Sequence, residues 1–148
     1  MQSQFNTQDL TYDRSTPDIF GAGGIDYALK PFSGVGKNSF LVFRHNKYIT
    51  IPTKNIAFFY IKYETPMIVG FDGQEYSVNY SLKQLESLVT EKQFYRLNKQ
   101  YLINFDAVKE VEHYFARKLL VKLTVDAPDQ LLVAKEKARA FLGWLENR

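Results

Sequence analysis

From Ser39 onward the chain is cut into short apolar runs, and this segmentation restricts its fold more than any other feature. Phe40–Phe43 and Tyr48–Ile51 are β-rich runs on either side of Arg44-His-Asn-Lys47, a polar stretch of hairpin length. Ile56–Tyr63, Met67–Phe71 and Glu75–Val78 read as three further strands. Asp72-Gly73 between the last two marks a tight turn, because Gly takes the positive φ that such turns need. Phe94–Leu97, Tyr101–Ile103, Val108–Phe115, Leu119–Val125 and Gln130–Ala134 continue the extended texture, with a hairpin turn at Ala116-Arg-Lys118. Only two segments change period. Ser81–Val89 places Leu82, Leu85, Leu88 and Val89 at helical spacing behind Ser81, a good N-cap. Lys135–Asn147 predicts a closing helix with Ala138, Phe141, Leu142 and Leu145 on one face. No regular βαβ alternation is present, which argues against a doubly wound parallel sheet. The expectation is a mainly β, β-rich α+β fold with one internal and one C-terminal helix.

Composition narrows function mostly by exclusion. The 148 residues include no cysteine, so disulfides, thiolate metal sites and cysteine nucleophiles are excluded. His45 and His113 are the only histidines; His45 falls in a loop and His113 alternates with apolar positions on a strand. Glu110 and Glu112 share one strand face, as a solvated sheet face commonly provides. No nucleophile has a neighbouring base, so the chain is read as no enzyme, with no cofactor and no metal. The 23 aromatic residues, 16% of the chain, belong mainly to strands and core. Two glycine-rich stretches fail as phosphate sites. Ser33-Gly-Val-Gly-Lys-Asn-Ser39 has Pro31 where a Walker loop needs Gly, and Asp26 replaces the third Gly of a dinucleotide fingerprint. Both read as linker.

Residues 1–36 carry five of the eight glycines, Pro17 and Pro31, and read as a flexible or remnant N-terminal segment before a domain at 37–148. Charge divides at the same boundary. The first part balances at −2, while the second holds 17 basic and 12 acidic side chains, a balance of +5 compatible with a polyanionic partner. No run approaches 18 apolar residues and the first ten lack the pattern of a secretory signal, so the expectation is a cytoplasmic protein with no membrane partner.

Tyr95-Arg-Leu-Asn-Lys-Gln-Tyr101 packs Arg96, Asn98, Lys99 and Gln100 between two apolar segments. Arg and Lys suit phosphate or guanine, and Asn and Gln suit adenine edges. Phe94-Tyr-Arg-Leu-Asn-Lys-Gln-Tyr-Leu-Ile-Asn104 closely resembles the central motif of the LytTR family of bacterial DNA-binding domains. Ile56–Tyr60 resembles that family's early strand, Tyr80–Leu85 its first helix, and Val133–Leu145 its closing strand and helix, so the likeness spans about residues 38–146. Gly24-Ile-Asp-Tyr-Ala-Leu-Lys-Pro-Phe32 resembles the tail of a response-regulator receiver domain, without the acidic pocket that phosphotransfer needs.

The resemblance implies an elongated LytTR-like arrangement of short antiparallel strands whose loops enter the grooves of double-stranded DNA. It implies sequence-specific binding by a bacterial transcriptional regulator, commonly on paired direct repeats, with a weak homodimer on DNA. By position, three loops would carry DNA-binding residues: Lys62, Tyr63 and Thr65 in the first; Arg96, Asn98, Lys99, Gln100 and Tyr101 in the second; Lys135 and Lys137 in the third. Two departures matter. Ala134-Lys135 stands where members often have Ser-Arg, losing a hydroxyl and a bidentate fork. Thr65-Pro66 replaces a polar or basic reader, and Glu64 beside it would repel phosphate. The alternative expectation is a protein-interaction module that keeps the fold without DNA readout.

Overall fold

The computed structural model describes residues 36–148. The expectations for the N-terminal segment, the receiver-like tail included, fall on residues 1–35 and lie outside the described residues. Ten strands and two helices follow: β1 (Ser39–Arg44), β2 (Lys47–Pro52), β3 (Ile56–Lys62), β4 (Thr65–Gly70), β5 (Glu75–Ser77), α1 (Leu82–Leu88), β6 (Phe94–Arg96), β7 (Tyr101–Asn104), β8 (Val108–His113), β9 (Leu119–Leu123), β10 (Leu131–Val133) and α2 (Lys135–Glu146). They form a β1–β2 hairpin, a five-stranded sheet ordered β5-β4-β3-β7-β6 and a three-stranded sheet ordered β10-β9-β8. All pairings are antiparallel. The mainly β fold with two helices is as expected.

The five-stranded sheet is buried on both faces, which explains why β3 reads as the unbroken apolar run Ile56-Ala-Phe-Phe-Tyr-Ile61. One face carries Phe59, Ile68, Phe94 and Leu102 against the β1–β2 hairpin and α1. The other carries Phe58, Tyr60, Val69, Tyr101 and Ile103 against the three-stranded sheet and Phe141 of α2. Strict alternation would send Ala57 and Phe58 to opposite cores, yet both face the second. A bulge between Ile56 and Phe58 shifts the phase by one residue.

Local signals account for the helices. Ser81 accepts from the Gln84 amide and Gln84 returns a bond to the Ser81 amide, a reciprocal cap that fixes the start of α1. In α2 the buried stripe runs through Phe141 with Ala138, Trp144 and Leu145, while Leu142 is exposed. The expected face is corrected accordingly: Leu142 lies about 100° around the helix from Phe141, beyond the edge of the stripe. Lys37 and Asn38 are not linker. The Lys37 amide donates to Leu88 and the Thr53 amide donates to Asn38, fastening this stretch beside α1. No helix among the described residues is long and apolar enough to cross a membrane.

Candidate nucleic-acid interface

Two of the three expected loops meet at one end of the five-stranded sheet. The β3–β4 turn and the β6–β7 loop flank adjacent antiparallel strands, with Tyr60 opposite Tyr101. The Ile61 amide extends that ladder by donating to the Gln100 carbonyl at 3.1 Å, so the first loop is braced on the second. Lys135 and Lys137 begin α2, which follows β10 of the other sheet. A bond from the Tyr101 hydroxyl to Asp129, at 2.8 Å, ties the approach to β10 to the base of the second loop.

The first loop is a two-residue turn. Tyr63 and Glu64 both have positive φ, 49° and 68°, as a type I′ hairpin demands. Tyr63 is 91% exposed at its tip. Thr65 is already the first residue of β4, paired with Lys62, so this strand starts two residues earlier than the sequence predicts. Pro66 fits inside it because its carbonyl accepts from Val78 on the β5 side. The missing N–H therefore falls where the β4–β5 ladder ends rather than between β3 and β4. The Lys62 ammonium is half exposed and pairs with Glu75 at 3.2 Å.

The second loop is braced from within. The Leu97 amide donates to the Tyr101 carbonyl at 2.9 Å, and the Asn98 side-chain oxygen accepts from the amides of Gln100 (2.8 Å) and Tyr101 (3.0 Å). Arg96 donates through Nε to the Asn98 carbonyl (2.8 Å), through Nη2 to the Lys99 carbonyl (3.1 Å) and through Nη1 to Glu86 of α1 (3.0 Å). Its guanidinium thus gives three of five N–H groups to the protein itself. Lys99 and Gln100 are exposed, and Lys99 has no ion-pair partner among the described residues. Lys135 and Lys137 are likewise exposed and unpaired.

Tyr101 must be corrected as a surface residue. It is 1% exposed and stacks on Tyr60 with ring centroids 5.5 Å apart. Burial first, and the bond to Asp129 second, push its hydroxyl well above the ordinary phenol range. Tyr60 is pushed up to about 12 by burial and by its bond to Glu75. Sequence reasoning missed Glu75, Glu86 and Asp129, the carboxylates that fasten these loops. Each lies at least ten residues from its partner in sequence, so only the packing reveals it.

The start of α2 lacks a side-chain cap because Ala134 occupies the N-cap position. The Lys137 amide turns back to the Ala134 carbonyl at 2.9 Å, and Glu136 lies in the first turn. Among the described residues no group of His, Cys, Asp and Glu could hold a metal ion. The Glu110–Glu112 face is solvated, with Lys122 at 2.7 Å from Glu112 and 3.7 Å from Glu110.

A family model described as the LytTr DNA-binding domain matches residues 46–146. No curated protein matches the chain. Among solved structures, the LytTr DNA-binding domain of a protein described as a methyl-accepting/DNA response regulator from Bacillus cereus is similar. It shows 18% identity over 74% of this chain and 98% of that one, with a TM-score of 0.62. At that identity the likeness is one of fold.

Proposed function

The chain belongs to the LytTR family of DNA-binding domains, and from that premise we propose that it binds double-stranded DNA sequence-specifically, as a cytoplasmic bacterial transcriptional regulator without catalysis or cofactor. One observation carries the reading: two loops meet at one sheet end with Tyr63, Lys99 and Gln100 exposed there. Lys99 and Gln100 are the base-facing pair of this proposal, and Asn98 holds the loop through its side-chain oxygen. Lys135 and Lys137, beside the uncapped amides of α2, suit phosphate. Tyr63 and Thr65 would lie along the backbone next to Lys62, whose charge is shared with Glu75. Paired direct repeats, bound by two copies that associate weakly off DNA, remain part of the proposal.

Selection from a random duplex pool with purified protein should yield one preferred site. Affinity for it should fall as salt rises from ~50 to ~200 mM, by about 0.9 in log–log slope for each phosphate neutralised. Lys99→Ala should cost ~1–3 kcal/mol and relax the preference at one position. An affinity indifferent to salt, or an unselective pool, would sink the reading. The protein-interaction alternative draws on the exposed aromatics Tyr48 and Phe115. It predicts one stoichiometric protein partner and no duplex affinity.

A further inference from the structure

We propose that Glu86 and Arg96 form a positioning pair that holds the 97–100 loop in its reading conformation, so that Glu86 governs duplex discrimination without touching DNA. The inference rests on the DNA-binding reading and gives Arg96 a role other than phosphate contact. Alternation along β6 sets the geometry. Phe94 faces the core shared with α1, and Arg96, two residues on, shares that face at the strand's end. On α1, Leu82, Leu85 and Leu88 are buried, and Glu86 is exposed beside them, within reach of the guanidinium.

A planar guanidinium is suited to this position. Its Nε and Nη2 reach two consecutive carbonyls, Asn98 and Lys99, while Nη1 reaches Glu86. An ammonium could not make three diverging bonds from fixed corners of one plane. Asn98 adds the opposite polarity, accepting from two amides of the same loop, and the Ile61 amide takes the Gln100 carbonyl. The carbonyls of residues 98, 99 and 100 and the amides of residues 97, 100 and 101 are thereby all bonded within the protein, leaving exposed side chains on a braced backbone. A carboxylate beside a phosphate-facing loop opposes binding by its charge. As the anchor of Arg96 it has a reason to be there.

The test uses the full chain with Glu86→Gln, Arg96→Gln and the double variant. In the free protein, amide exchange at Gln100 and Tyr101 should quicken by about tenfold or more in each single variant. On DNA, the ratio of affinities for the selected and a scrambled duplex should fall by about tenfold in each. The double variant should lose no more than either single, and the salt slope should stay at the wild-type value. Two results would overturn the pair. The first is a salt slope shallower by about 0.9 in Arg96→Gln together with tighter binding to every duplex in Glu86→Gln, which marks Arg96 as a phosphate contact restrained by Glu86. The second is unchanged amide exchange in Arg96→Gln. A wild-type protein without duplex preference would remove the DNA-binding reading, and the exchange measurement would still decide the clamp.

Discussion

At the scale of single residues, Asn104 shows how one polar side chain can fix several backbones. It is fully buried, the one such polar side chain among the described residues. Its amide donates to the Ile56 carbonyl at 2.8 Å, beside the bulge in β3. Its oxygen accepts from the Asp106 amide, capping the short turn at Phe105–Ala107, and from the Gln93 side chain. Truncation would strand the buried Ile56 carbonyl and take the acceptor from the partly buried Asp106 amide. Asn104→Ala should therefore destabilise the protein by roughly 2–4 kcal/mol, read as a lowered urea midpoint with unchanged slope. A loss below about 0.5 kcal/mol would mean that neighbouring groups re-pair. Asn104 was legible as the last residue of the central motif. Its partners were not, since Ile56 lies 48 positions away and no local pattern connects the two. Tyr101 was misplaced for a related reason. Alternation identifies which residues share a face, but it does not say that both faces of this sheet are covered.

At the scale of elements, the legible features were those whose causes are local. Ser81 announces α1 as its N-cap, and the structure adds the return bond with Gln84, three residues on. The hairpins were visible as polar gaps between apolar runs, but their turn type was hidden. His45–Asn46, Tyr63–Glu64 and Ala116–Arg117 all occupy left-handed backbone without a glycine. Such turns ordinarily take Asn-Gly, so the signal that names them is missing here. Left-handed backbone is strained for a residue with a Cβ, and Glu64 also sets a negative charge at the candidate interface. Glu64→Gly should raise thermal stability, by roughly 0.5–1 kcal/mol, through relief of that strain. It should also tighten duplex binding most at low salt, where the removed repulsion is least screened. Lower stability in this variant would mean that the Glu64 side chain has a stabilising role that outweighs the strain. The clamp on the second loop was illegible because it joins a strand end to a helix across the sheet's face.

At the scale of the whole molecule, the stacked tyrosines join parts that are remote in sequence. Tyr60 on β3 donates to Glu75 on β5, and Tyr101 on β7 donates to Asp129 just ahead of β10 in the other sheet. Both bonds require neutral phenols. In the folded protein Tyr60 holds its proton until about pH 12, and Tyr101 is shifted in the same direction, whereas phenols in the unfolded chain release theirs near pH 10. Between those values the unfolded state binds fewer protons than the folded one, so unfolding becomes easier as pH rises. The stabilisation is complete below about pH 10 and is lost as pH climbs through 12. Denaturant unfolding at a series of pH values should show this decline. Tyr60→Phe separates its source from the deprotonation of lysines, which both proteins share. The variant should lose about 1–2 kcal/mol at neutral pH, the worth of a hydrogen bond to a partly exposed carboxylate. It should then decline less steeply than the wild type from pH 10 to 12, because one of the upward-shifted tyrosine protons is gone. Parallel curves would show that the Tyr60 proton is not what alkali removes.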